Sequence, residues 1–217
     1  MNLNFPLLDY SIPLDKMTIL TLEHPKVFSK IVQEIHEYQE SSELRIYDKK
    51  YKTVKESELL VVVDILGYSL NATSVLKLIY ADLEKQISDD PELKTRIEQL
   101  ILEIEELLLI ETLSHELSLS IGEPSLLHLL KMFDVKIDVN YQNIFEKCLE
   151  LIQVYKYLPK TKLLVLVNVC SFFTLSEIQT LEEEISLHCV RVLFIEPREV
   201  YNVSQYVMDV DFFLSRR

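Results

Sequence analysis

Between positions 45 and 55 the chain reads Arg-Ile-Tyr-Asp-Lys-Lys-Tyr-Lys-Thr-Val-Lys, five cations against one acid in a protein of formal net charge −13. Arg45, Lys49, Lys50, Lys52 and Lys55 therefore gather where the chain as a whole repels polyanions. If the segment is a strand, pleating predicts Lys50 and Lys52 on one face and Lys49, Tyr51 and Thr53 on the other. Such a platform is suited to contacting phosphates. The plainer reading is a solvated hairpin whose lysines discourage edge pairing.

Other chemistry is harder to write from these residues. Asp64, Asn168 and Glu196 fall at or near the ends of apolar runs, where ATPases hold magnesium. With two glycines in 217 residues, Gly67 and Gly122, neither GxxxxGK[ST] nor GxGxxG can be formed, so a nucleotide-triphosphate or dinucleotide cradle is not expected. His24, His36, His115, His128 and His188 lack the spacing of a zinc site. No GxSxG occurs. Cys148, Cys170 and Cys189 show no CxxC spacing and read as buried thiols of a reducing cytoplasm. No export signal and no membrane span is read from the chain.

The elements that must position these residues follow from periodicity. Leu3 to Phe5 and Thr18 to Leu22 read as two strands of a hairpin. Pro25 opens an amphipathic helix reaching about Glu40 through Val27, Ile31 and Ile35. Leu59 to Leu66, Leu163 to Asn168 and Val190 to Ile195 are apolar runs, as in strands covered on both faces, and Val135 to Val139 is a further short strand. Helices are expected over Ile144 to Tyr157 and Leu175 to Leu187. Between them the patterning turns helical: from an N-cap at Asn71 to about Ser88, a long helix opened by Asp90-Pro91 with acids opposite its apolar stripe, and a short one from Pro124. These elements predict an α/β head with a mixed sheet, residues 1–70 plus 134–217, and an inserted α-helical leg, residues 71–133.

Five blocks also carry a resemblance. The start MNLNFPLLD, TVKESELLVVVDILG from Thr53, LKLIYADLE from Leu76, IFEKCLE from Ile144 and LFIEPREVY from Leu193 resemble the short form of the Csn-two family, the adaptation proteins of streptococcal-type II-A CRISPR systems. The likeness runs nearly end to end. It implies a head related to degenerate P-loop ATPases, a homotetrameric ring, and sequence-nonspecific binding of double-stranded DNA ends through a lysine-lined hole. It further implies a part in spacer acquisition with other CRISPR adaptation proteins in the cytoplasm, no catalysis and no ATP. The candidate phosphate contacts are Lys49, Lys50, Lys52 and Lys55, with Lys131 and Lys136 as weaker ones.

The family also uses calcium, held partly by an acid-rich stretch between the second and third leg helices. Here that stretch is Ser118-Leu119-Ser120-Ile121-Gly122-Glu123, and His128 stands where an acid is usual. Calcium takes six to eight oxygen ligands. Glu123 would need acids such as Glu116, Glu111, Asp134 or Asp138 beside it, so weakened calcium binding is expected. The alternatives to DNA binding are a protein scaffold of the adaptation complex and a divergent nucleotide hydrolase.

Overall fold

The computed structural model describes residues 1–158 and 160–217. They form two compact units, Met1–Leu70 with Val139–Arg217, and Asn71–Asp138. The whole is mixed α/β, with six α-helices among the described residues.

The larger unit is built on a six-stranded sheet. Its strands are β3 (Met17–Leu22), β5 (Leu59–Val62), β6 (Leu163–Val167), β7 (Val192–Glu196), β8 (Tyr206–Met208) and β9 (Leu214–Arg216), hydrogen-bonded in the order β5-β6-β7-β3-β8-β9. Neighbours run parallel except β9, which pairs antiparallel with β8. Every residue of β6 and β7 is buried, as near-continuous β-branched and leucine runs require when both faces are covered. On one face Leu163, Val165, Leu193 and Ile195 share a core with Val27, Ile31 and Ile35 of helix α1 (Pro25–His36). Those three positions repeat every fourth residue, one stripe of the helix. The alternate residues Leu164, Leu166, Val192 and Phe194 are buried as well. Helix α5 (Ile144–Lys156) packs on α6 (Leu175–Leu187), and α6 also meets β3. Thr174 and Glu177 close a capping box at the start of α6.

A second sheet comprises β1 (Asn2–Asn4), β2 (Ile12–Pro13) and β4 (Arg45–Tyr47), all antiparallel, with β1 in the middle. The expected hairpin of Leu3 to Phe5 with Thr18 to Leu22 is therefore not formed. Met17–Leu22, buried at five of its six positions, is a central strand needing parallel partners on both sides, and takes β7 and β8. Strand β5 is also shorter than its apolar run. After Val62 the chain turns: Asp64 Oδ1 accepts from Leu66 N at 3.0 Å, and Tyr68 N bonds Asp64 O at 3.1 Å. A Cβ on Gly67 would lie 2.3 Å from Asp64 Oδ2, so glycine lets that carboxylate fold over the turn. Strands β8 and β9 lie outside every element expected from periodicity. Helix α1 ends at His36, short of Glu40.

The smaller unit contains α2 (Thr73–Ser88), α3 (Pro91–Leu113) and α4 (Leu126–Met132). Asp90 caps α3 through Leu93 N, with Pro91 in the first turn. Asn71 does not cap α2, whose N-cap is Ala72; its amide instead grips both backbone groups of Ile137, at 3.0 Å to the carbonyl and 2.9 Å to the N–H. Tyr80 Oη donates to Val135 O at 2.9 Å. The strand expected over Val135 to Val139 is absent because side chains take the place of a ladder partner. Helix α4 starts after Ser125, which caps it, rather than at Pro124. No residue of α3 is buried within the unit, and Leu102, Leu107, Ile110 and Leu113 are each more than half exposed. Its apolar residues extend beyond one stripe.

Candidate nucleic-acid interface

The basic segment is a tight hairpin rather than an alternating strand. Strand β4 turns at Asp48, and the chain returns through Thr53, which bridges Tyr47. Asp48 organises the tip: its N–H donates to Lys52 O at 2.9 Å, and its Oδ1 accepts from Lys50 N at 2.7 Å and Lys52 N at 3.0 Å. The Lys52 amide, then that of Lys50, holds the Asp48 carboxyl below the usual carboxylate range. Tyr51 sits at φ 57 and is 83% exposed. Pleat alternation thus does not sort these lysines; the turn fans Lys49, Lys50 and Lys52 outward at one tip. Below it Lys55 is exposed, while its N–H donates to Glu58 Oε2 at 3.0 Å, fixing the short 3-10 turn Glu56–Glu58. None of these four lysines has a salt-bridge partner among the described residues.

The sheet topology adds cations that sequence reasoning missed. Because β3, β6 and β7 run parallel, the residues preceding them lie along one edge. Those residues are Lys16, Lys162 and Arg191. Backbone bonds tie the edge together: Val192 N to Lys16 O at 2.8 Å, Leu164 N to Arg191 O at 3.0 Å, and Lys162 N to Glu58 O at 2.6 Å. Lys162 Nζ pairs with Glu58 at 2.8 Å and, as the leading cause, holds that carboxyl low. Lys162 also acts on Asp48. The amino-terminal ammonium is lowered first by burial, then by Arg191, with Lys49 contributing. The hairpin tip and the amino-terminal edge of the large sheet are hence electrostatic neighbours. The legible signal is a cation directly ahead of Met17, Leu163 and Val192, whereas Glu58 precedes Leu59.

Lys131 and Lys136 are exposed in the smaller unit, and Lys136 is spent on Asp134 at 2.5 Å. Glu116 and Glu123 follow α3 in the chain, but among the described residues no group of three or more His, Cys, Asp or Glu converges on a metal position.

At the opposite, carboxyl-terminal edge, Glu196 is 1% exposed. Its Oε1 accepts from Val169 N and Cys170 N, each at 2.9 Å, and burial pushes its pKa up. It is a backbone anchor, not a magnesium ligand poised beside Asp64. Burial raises the Cys148 thiol to about 12 and the Cys170 thiol further still, as for inert core cysteines. Cys189 departs from the expectation of burial: it is exposed at φ 55, just beyond α6.

Fold and surface together define an α/β protein with a helical insertion and a cationic strand edge on an otherwise anionic chain. The family described as CRISPR-associated protein (Cas_Csn2) matches residues 37–212, and the chain belongs to it. It is 45% identical over 212 residues to the CRISPR-associated protein Csn2 of Streptococcus agalactiae, covering 98% of this chain and 96% of that one. It is 43% identical over 215 residues to the Enterococcus faecalis Csn2, covering 99% and 98%. Among solved structures, the crystal structure of Stu0660 of Streptococcus thermophilus shares the fold at a TM-score of 0.58 and 13% identity, over 95% of this chain and 74% of that one.

Proposed function

We propose that this CRISPR-associated protein is a non-catalytic, sequence-nonspecific binder of double-stranded DNA ends that assembles as a homotetrameric ring and serves spacer acquisition in the cytoplasm beside other adaptation proteins. The observation that carries the reading is the exposed lysine fan at 49, 50 and 52, continued by Lys16 and Arg191 along one strand edge, on a chain of net charge −13. Duplex DNA carries one charge per about 1.7 Å, so an anionic chain must segregate its cations to bind it. Acids elsewhere keep the duplex off the remaining surface. Self-association is supported by α3, which leaves Leu102, Leu107, Ile110 and Leu113 uncovered in the single chain.

The relation to degenerate P-loop ATPases rests on the parallel β5-β6-β7-β3 core, and the expected lack of nucleotide hydrolysis on the turn after β3. Only Glu23 and His24 separate Leu22 from Pro25, and the His24 imidazole occupies the helix N-cap, accepting from Lys26 N at 3.3 Å. That turn is too short, and lacks the glycines, to cradle phosphate. Calcium dependence is weak on this reading, since the leg's Ser118–Glu123 loop supplies one carboxylate.

The test is a gel shift comparing linear with covalently closed duplex, alongside Lys50→Glu/Lys52→Glu whose assembly is checked by light scattering. The expected result is preference for linear DNA, lost in the variant while the ring persists. Equal affinity for circles contradicts threading. Full binding by an assembled variant overturns the lysine interface and leaves the protein a scaffold.

A further inference from the structure

The large sheet has a second, opposite feature that the DNA-binding reading does not use. Across the carboxyl ends of β6 and β7, the segment after β6 and the loop after β7 enclose a cavity of about 700 Å3. Ligands of open α/β sheets bind outside the carboxyl ends of the strands, in clefts of roughly this size, about 300–1,000 Å3. The two walls are pinned rather than slack. Glu196 holds the Val169 and Cys170 amides, and Gln205 holds the other loop through Val200 O at 2.5 Å, Val203 O at 3.1 Å and the Thr21 hydroxyl at 2.8 Å.

The chemistry left over in this cavity is biased towards donors. Asn168 accepts from the Ser171 hydroxyl through Oδ1 at 3.2 Å, which leaves its Nδ2 without a partner among the described residues. Glu199, the neighbouring acid, is taken by Arg217 at 2.7 Å, so Arg198 stands at the mouth with no acidic partner among the described residues. Two of the chain's non-glycine residues with left-handed backbone, Asn168 at φ 53 and Asn202 at φ 62, line this one cavity from opposite walls. Two aromatic faces complete the lining: Phe173, steadied edge-on by Phe145 at 5.8 Å, and Tyr201, 80% exposed.

We infer that this cavity binds a nucleoside monophosphate, its phosphate met by Arg198 and the Asn168 and Asn202 amides and its base laid against Tyr201 or Phe173. Guanidinium and amide donors suit the phosphate oxygens, and flat aromatic rings suit a base of any identity. The site is separate from the lysine edge by the five residues of β7, roughly 16 Å at about 3.3 Å per residue. It therefore stands or falls independently of DNA binding.

Isothermal titration of the full chain with adenosine 5′-monophosphate, adenosine and inorganic phosphate tests it. Saturable binding of the monophosphate, tighter than either fragment, is expected. Arg198→Ala should weaken it roughly tenfold or more, as removal of one charge-assisted hydrogen bond to phosphate does, while Lys49→Glu/Lys50→Glu/Lys52→Glu leaves it unchanged. No saturable heat at millimolar ligand overturns the inference, as does undiminished binding by the Arg198 variant. Failure of the lysine variant to bind assigns the ligand to the DNA surface and overturns it too, as does equal affinity for phosphate alone, which leaves no nucleoside contact.

Discussion

Glu196 shows how a single residue can mislead on spacing and explain itself on burial. An acid closing an apolar strand suggests a magnesium ligand, but two backbone N–H groups already occupy Oε1 and the residue is enclosed. Its folded pKa lies above the ordinary value of 4.5, so its stabilising share is full below that value and disappears as pH rises through the folded pKa. Glu196→Gln keeps an acceptor for both amides without the buried charge. Urea unfolding at pH 5 and pH 8 should show the variant gaining on the parent at the higher pH; equal differences at both would contradict the burial account. The cations at the strand edge make a second residue-level case. Lys16→Gln and Arg191→Gln should each lower DNA affinity alike for unrelated sequences and flatten the log–log salt slope by about 0.9 for each phosphate no longer neutralised. Lys136→Gln, already paired with Asp134, should change little.

At the scale of elements, side-chain bonds stand in for a ladder. Asn71 satisfies both backbone groups of Ile137, so the chain returning from α4 needs no strand partner. Asn71→Ala leaves two partly buried backbone groups open, at a cost of about 1–3 kcal/mol. Hydrogen exchange should then accelerate at Ile137 while β6 stays protected. Phe194, fully buried in β7, is the opposite case of pure packing. Phe194→Ala should cost about 3–5 kcal/mol by denaturant unfolding, through forfeited transfer energy plus the cavity left. The same element logic explains the misread hairpin. Leu3 and Thr18 to Leu22 are equally strand-like, and alternation says nothing of which sheet each joins; that depends on β7 and β8, which come from near the end of the chain.

For the whole molecule the decisive quantity is where charge sits, not its sum. The proposed ring predicts a DNA affinity that falls steeply with salt, log K against log salt declining by about 0.9 for each neutralised phosphate. A flat response between low and moderate salt would remove the electrostatic basis. Since no acidic cluster converges within one chain among the described residues, a chelator should leave most of the assembly intact in light scattering. Dissociation to single chains on chelation would instead place calcium ligands between subunits. Among the described residues no helix is long and apolar enough to cross a membrane.

The sequence alone was enough for whatever depends on neighbours in the chain. The β6 and β7 runs, the α6 helix, the Asp90-Pro91 start of α3 and the lysine-rich stretch follow from period, cap chemistry and local charge, which act within a few residues. Only the tertiary structure brought Lys16, Lys162 and Arg191 to one edge, because parallel pairing aligns the starts of strands far apart in the chain. It also turned Glu196 into an anchor and assembled a cavity from two loops that are distant in sequence. Long-range pairing and burial are set by the whole chain's packing, and no local pattern encodes which distant partner a residue will meet.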